Sequence, residues 1–379
     1  MKNVKSIYLD HAATTKPYVE VVSLFTKLET EHYGNSSSIH GFGIDALSYL
    51  NKARDLVLKS FGLTKGYKII FTSGATEANN LAILGYCLKH ANRGKHVITS
   101  NVEHPSVLEC FKYLETLGFK VTYLKVNKDG VVEVKQLEKA MTSETIFVSL
   151  MSTNNEIGSI NNIDELSKIV HQYPKAVFHS DTTQSIGKDK VNYSALDMFV
   201  VSGHKVHGLK GSGCLILKEK VDLEPRVFGG GQEDGLRSGT VPVALACSLA
   251  KAVSIVQSKI SAESARISKI HQQFLVKLQN VDGLEFNSNK NGSPYILNFS
   301  LTSKKASVVV EALSNVGIYV SSVSACNSKR EPMSYVVDAL GKNSVASHNT
   351  IRLSFGEDNT EEDADIFARE FIKVLESIR

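Results

Sequence analysis

The stretch Asp197-Met198-Phe199-Val200-Val201-Ser202-Gly203-His204-Lys205, continued by His207-Gly208-Leu209-Lys210-Gly211-Ser212-Gly213, decides the fold. Its first half is a short apolar, β-branched run that leads into a glycine-rich segment, the signature of a buried strand. The pattern recurs outward in both directions. Between residues 67 and 217, strand candidates Lys68–Phe71, His96–Thr99, Val121–Leu124, Ile146–Leu150, Ala176–His179, Met198–Val201 and Cys214–Leu217 alternate with helical patterns. The helices are expected at Ala75–Leu88, Pro105–Leu117, Val134–Met141 and Ile163–Tyr173; the first puts Ala78, Leu81, Ala82, Gly85 and Leu88 on one face. Strands alternating with helices predict an α/β fold with a mostly parallel sheet covered on both faces. Ligands of such sheets bind beyond the carboxyl ends of the strands.

A chain of 379 residues exceeds the size at which single cores stop growing. A large domain is expected over residues 1–250 and a smaller α+β domain over 251–379, with the N-terminal segment a candidate to pack with the smaller one. The link is a long helical pattern from Val241 to Leu278. Beyond it come a strand at Pro294–Ser300, a helix at Ala306–Asn315, a strand at Tyr319–Ser322, a helix at Met333–Leu340 and a strand at Thr350–Phe355. A last helix starts at Thr360 with Asp363 as a capping-box partner.

Apolar content of 42%, charge of 22% and a net charge of +4 without a basic block disfavour nucleic acid or an anionic membrane as the main ligand. No signal-peptide core and no run of roughly 20 apolar residues is read, so a cytoplasmic address is expected. Five cysteines without paired spacing argue against a disulfide framework, and no zinc-like ligand set is present. Cys87, Cys110, Cys214 and Cys247 sit in apolar patterns and are expected in the core; Cys326 lies in the polar stretch Ser321–Arg330.

Lys205 stands just past the end of a buried strand. An amine there loses hydration, releases its proton more easily and becomes nucleophilic toward carbonyls. A solvated lysine in a glycine turn is the alternative for this stretch alone. Asp181, at the end of the apolar run Ala176–Ser180, weighs against it. A strand-end carboxylate and a strand-end lysine together suit pyridoxal 5′-phosphate, whose ring nitrogen takes the carboxylate and whose aldehyde takes the amine. Thr72-Ser73-Gly74-Ala75-Thr76-Glu77 joins a strand to a helix and offers free N–H groups to a phosphate; it is not a dinucleotide fingerprint. Glu103-His104-Pro105 opens another helix, with an imidazole that could stack on a ring or move a proton.

Together these segments resemble a cysteine desulfurase of the NifS/IscS type, in the class V aminotransferase group of fold-type I pyridoxal-phosphate enzymes. The carriers are Tyr8–Thr15, Gly34–Ser37, Phe71–Glu77, Glu103-His104, Asn154–Gly158, Asp181–Gln184, Ser202–Lys205, Arg237–Thr240, Ser324–Cys326 and Ile351-Arg352, in the family's order. The resemblance implies a large domain with a mostly parallel seven-stranded sheet and a smaller C-terminal domain carrying the cysteine loop. It implies that Lys205 holds the cofactor and moves protons, that Asp181 pairs with the ring nitrogen, that His104 stacks on the ring and that Gln184 bonds its hydroxyl. Ala75, Thr76, Ser202 and His204 would bind the phosphate, joined by Thr240 of the partner subunit in a homodimer. Asn155 and Arg352 would hold the substrate carboxylate. Cys326 would take the sulfur of L-cysteine as a persulfide, leaving L-alanine, and hand it to an acceptor such as an iron–sulfur scaffold or a tRNA- or cofactor-thiolation enzyme. Val323 stands where the family commonly has glycine, and a β-branched residue stiffens that loop. His207 and Leu209 replace the more frequent tyrosine and proline. A selenocysteine lyase or a class V aminotransferase would not need Cys326, and an inactive acceptor-binding scaffold would not need Lys205.

Overall fold

The computed structural model describes residues 6–322 and 333–378. The segment carrying Val323 and Cys326 lies outside these residues. The chain opens with β1 (Ile7–Tyr8), α1 (Val19–Glu31) and α2 (Gly41–Ser60), then enters the alternating region with β2 (Tyr67–Thr72), α3 (Ala75–Lys89), β3 (His96–Ser100) and α4 (Pro105–Thr116). It continues through β4 (Lys120–Leu124), α5 (Val134–Ala140), β5 (Thr145–Ser149), α6 (Ile163–Val170), β6 (Val177–Asp181), β7 (Met198–Ser202) and β8 (Gly213–Lys218).

The seven strands from β2 to β8 form one sheet in the order β2-β8-β7-β6-β5-β3-β4. All run parallel except β8, which is antiparallel to both β7 and β2. Strand periodicity divides the side chains between two cores. On β7, Phe199 and Val201 join one apolar cluster while Met198 and Val200 join the other; on β8, Cys214 and Ile216 face the first, Leu215 and Leu217 the second. Helices α3 and α4 cover one face, and α1, α2, α5 and α6 the other. Burial on both faces is why these strands read as continuous apolar runs.

Helix α7 (Val243–Leu278) spans 36 residues. The expected division at 250/251 falls inside it. Its buried residues up to Val256 pack in the first cluster; from Ile267 onward they belong to a third cluster. By length and composition α7 could cross a membrane, although no such run is expected from the sequence; 56% of its most apolar window is buried inside the protein. The remaining elements are β9 (Leu284–Phe286), β10 (Ile296–Leu301), α8 (Ala306–Asn315), β11 (Ile318–Tyr319), β12 (Ser321–Ser322), α9 (Tyr335–Ala339), α10 (Ser344–His348), β13 (Thr350–Ser354) and α11 (Glu361–Ser377). Strands β12, β13, β10 and β9 form an antiparallel sheet in that order, while β1 pairs in parallel with β11. Ile7 and Leu9 therefore enter the third cluster beside Phe274, Phe299, Phe367 and Phe371. The capping box at Thr360 and Asp363 is formed.

Helices α1 and α2 are absent from the sequence reading. The buried face of α2 is made largely of Gly43, Ala46 and Ala53, with Leu50 and Val57, so its hydropathy contrast is weak. Its other face exposes Phe42, Ile44 and Leu47. Helix α1 buries only Val21 and Leu28.

Candidate active site

A cavity of about 730 Å³ opens at the carboxyl ends of the parallel strands. The loop after β2 gives it Ser73 to Glu77, the segment after β3 gives His104 and Ser106, and that after β5 gives Thr153 and Asn155. The ends of β6 and β7 contribute Asp181, Thr183, Gln184, Ser202, His204 and Lys205. Ala12, Ala13 and Thr14 close it from the N-terminal segment, and Arg352 enters from β13 of the smaller sheet.

Lys205 ends a short 3-10 turn, Gly203–Lys205, where the glycines after β7 reverse the chain. Its Nζ donates to the carbonyls of Ala12, at 2.5 Å, and Ala13, at 2.6 Å. Two carbonyls hold an amine without demanding that it be charged. Burial lowers its affinity for a proton to a pKa of about 7, assisted by the Lys188 and Arg352 cations and opposed by Asp10 and Asp181. The solvated-lysine reading therefore fails. Gln184 is buried and ties this corner together: its Nε2 donates to the same Ala12 carbonyl at 3.0 Å, and its Oε1 accepts from Lys188 Nζ at 3.0 Å.

Asp181 is the last residue of β6 and is buried. Its Oδ1 accepts the Thr183 N–H at 3.0 Å and its Oδ2 accepts from Asn79 Nδ2 at 2.9 Å. His104 is the N-cap of α4, just before Pro105, and its Nδ1 accepts the Ser106 N–H at 3.2 Å. Burial lowers the pKa of this imidazole, partly offset by Asp181. Glu103 lies beneath it, fully buried; burial pushes its carboxyl up to about 8 despite hydrogen bonds from Ser100 and the Met151 N–H. His204 is held by Thr14 Oγ1 at 3.2 Å, and burial together with the Lys205, Lys210 and Lys188 cations lowers its pKa to about 4.

At the start of α3, Gly74 is the N-cap with φ +155° and supplies no side-chain cap. The N–H groups of Ala75 and Thr76 have no acceptor among the described residues. They are the positive end of a 15-residue helix, aimed into the cavity beside Ser202 and His204. Glycine is required across the gap too: a Cβ on Gly213 would lie 2.5 Å from Gly74 Cα. Glu77, in the first turn, is paired with Arg237 at 2.9 Å and accepts the Ser73 N–H at 2.8 Å. Burial pushes this carboxyl up, but those hydrogen bonds outweigh it and hold the pKa below its usual value.

Arg352 is not an outward-facing strand arginine. Its Nη2 pairs with Asp10 Oδ1 at 2.9 Å, its Nη1 donates to the Asn155 carbonyl at 2.8 Å, and its Nε is buried without a partner among the described residues. Asn155 Oδ1 and Thr183 Oγ1 are likewise buried and unpartnered among the described residues. The structure thus gathers Ala75, Thr76, His104, Asn155, Asp181, Gln184, Ser202, His204, Lys205 and Arg352 at one cavity. Thr240 is exposed and does not line it. Cys326 lies outside the described residues. Cys87, Cys110, Cys214 and Cys247 are free and buried, with burial holding each thiol above its usual pKa. Asp10, Asn79, Ser106, Thr183 and Lys188 are not singled out by the sequence. Asp10 sits within the quoted Tyr8–Thr15 segment and Thr183 within Asp181–Gln184, but only the fold brings Asp10 to Arg352.

The donor set suits pyridoxal phosphate. An amine that titrates near pH 7 is available for an aldehyde, a helix N-terminus with free N–H groups for a phosphate, and a strand-end carboxylate for a pyridinium. The unpartnered polar atoms of Asn155, Thr183 and Arg352 border the space between. Fold and site define a pyridoxal-phosphate enzyme built on a mostly parallel α/β sheet. The class-V aminotransferase family matches residues 7–367. Cysteine desulfurase IscS of Dictyoglomus turgidum is 36% identical over 379 residues, covering 99% of this chain and 96% of the relative. A solved NifS-like protein superimposes with a TM-score of 0.91 at 34% identity, covering 98% of this chain and 99% of the other. SspA, solved in complex with cysteine, gives a TM-score of 0.81 at 31% identity over 92% of this chain and 99% of its own. The chain belongs to the class-V aminotransferase family, among its cysteine desulfurases of the NifS/IscS type, and its cofactor is pyridoxal 5′-phosphate.

Proposed function

We propose that this cysteine desulfurase converts L-cysteine to L-alanine and carries the sulfur as a persulfide on Cys326, for transfer to an acceptor protein. The observation that carries the reading is the half-buried Lys205 amine, in the turn just after β7 and facing the cavity that Asp181 and Arg352 share. The complex of the related SspA with cysteine supports the substrate.

The position of each side chain around the cavity supports the following roles. Arg352 and Asn155 hold the substrate carboxylate, with Asp10 keeping the guanidinium in place. The N–H groups at the start of α3, with Thr76, Ser202 and His204, take the phosphate; Asp181 takes the ring nitrogen and Gln184 the ring hydroxyl. His104 covers the ring. When bound, pyridoxal phosphate supplies an electron sink that acidifies the substrate Cα–H and loosens the Cβ–S bond. Lys205, titrating near neutrality, accepts the Cα proton and returns it. The Cys326 thiolate attacks the substrate sulfur; the Cβ–S bond breaks with its electron pair left on Cβ, and a proton completes the alanine methyl group. The protein gains one sulfur as Cys326–S–SH, so atoms and electrons balance without an external oxidant. Cys326 follows Ser322 by four residues, and the strand ending there pairs with β13 at Arg352.

The protein acts as a homodimer in which Thr240 reaches the partner's phosphate site. Exposure of Thr240, and of the apolar side chains Ile39, Phe42 and Phe228 on the single chain, supports this. The acceptor is an iron–sulfur scaffold or a thiolation enzyme. A reducing, cytoplasmic setting suits free cysteines. The two domains divide within α7, on either side of the change from the first apolar cluster to the third. The test is Cys326→Ala. It should bind the cofactor and respond spectrally to cysteine, yet release almost no alanine, while mass spectrometry of the wild type finds the added sulfur on Cys326. Sulfur on another cysteine, or normal turnover of the variant, would overturn the mechanism.

A further inference from the structure

We infer that Asn79 and Ser106 fix His104 in the neutral tautomer carrying its proton on Nε2, so that the ring presents the cavity with a hydrogen-bond donor. Asn79 is fully buried in α3, and its Nδ2 donates both to Asp181 Oδ2 and to Ser106 Oγ, each at 2.9 Å. The carboxylate decides the amide's orientation, because the reverse would set Asn79 Oδ1 against an acceptor oxygen. Ser106 Oγ accepts from Asn79 and so has its single hydrogen left for His104 Nδ1, 2.8 Å away. The Ser106 N–H reaches the same ring nitrogen at 3.2 Å. A nitrogen that receives two donors keeps its lone pair and holds no proton, so the hydrogen of the neutral ring sits on Nε2. Burial and the Lys205 cation lower the pKa of His104, partly offset by Asp181, which favours the neutral ring.

The consequence reaches the reaction. His104 lines the cavity, and Nε2 has no partner among the described residues. A ring in this tautomer can donate to a substrate atom through Nε2, but its only basic nitrogen is spent on Ser106. His104 is thereby excluded as the base that takes a substrate proton at neutral pH, and that task stays with Lys205. Asn79 and Ser106 are positioning residues, and they join Asp181 to His104 in one hydrogen-bonded chain. The link to catalysis rests on the cofactor reading above; the tautomer does not.

The experiment is nitrogen-15 NMR of histidine-labelled, cofactor-loaded protein near pH 7.5, with His104 assigned through His104→Gln. The wild type should give a pyridine-type Nδ1 and a pyrrole-type Nε2. Ser106→Ala removes one donor and should move the tautomer ratio about fivefold toward Nδ1–H, the factor that one average hydrogen bond carries. Ser106→Thr keeps the hydroxyl and should restore the wild-type pattern. Asn79→Ala should shift the ratio the same way; should it fail to fold, the Ser106→Ala shift decides alone. A protonated Nδ1 in the wild type, or an unmoved ratio in Ser106→Ala, would overturn the inference and leave the desulfurase assignment standing. The expected tautomer in a protein that does not turn over cysteine would support the inference and count against the activity instead.

Discussion

Replacing Lys205 by methionine should stabilise the cofactor-free protein at neutral pH. The amine's pKa falls from 10.5 to about 7 on folding, chiefly by burial. The unfolded chain therefore binds the extra proton between those values, and stability rises with pH across that window. Integrated, the penalty on the fold is about 4 kcal/mol at pH 7 and disappears above about pH 10.5. Methionine keeps the volume and removes the charge, but it abandons the carbonyls of Ala12 and Ala13, at about 1 kcal/mol each. The net gain should be roughly 2 kcal/mol at pH 7, nil near pH 9 and reversed above it. Urea unfolding of cofactor-free wild type and Lys205→Met at several pH values measures the difference. In the wild type, the rate of cofactor capture should rise through about pH 7 and then level off. At pH 7.5 roughly three-quarters of the amine is uncharged, against about one part in a thousand for an ordinary lysine. Lys188→Met removes the next largest cause and should move that break upward. A variant no more stable than wild type at pH 7, or a capture rate still climbing at pH 10, would refute the reasoning.

Gly213→Ala places a Cβ 2.5 Å from Gly74 Cα, so it should cost about 1–3 kcal/mol and weaken cofactor binding by displacing the start of α3; equilibrium dialysis and melting curves check both. Glu103 is raised from 4.5 to about 8 by burial, so its contribution holds below pH 4.5 and is lost as pH rises to 8. Glu103→Gln should therefore gain stability relative to the wild type across that interval, and a pH-independent difference would contradict the assignment. Mixed dimers of Lys205→Ala with Thr240→Ala chains should recover one intact site, because one chain supplies the lysine and the other the threonine. Activity that stays at background in the mixed dimers, or a fully active monomer by light scattering, would remove Thr240 from the partner's site.

The sequence by itself determined the sheet, because strands buried on both faces must be apolar throughout and their helices must alternate with them. It placed all seven strands to within a residue or two, and it marked Lys205 and Asp181 through their polarity at the ends of apolar runs. Helices α1 and α2 escaped it, since a face built from Gly43, Ala46 and Ala53 carries little hydropathic signal. So did the break between β11 and β12, where one apparent strand serves two sheets. Only the tertiary structure decided how the site works. Asp10 meets Arg352 across most of the chain, and the Ala12 carbonyl meets both Lys205 and Gln184. Asn79, an unremarkable polar residue within α3, becomes a link between Asp181 and Ser106. Local patterning reports which way a side chain faces, because burial repeats with the period of the strand or helix. It cannot report which distant group fills the space opposite, and that partner sets the proton affinity of an amine or the tautomer of a ring.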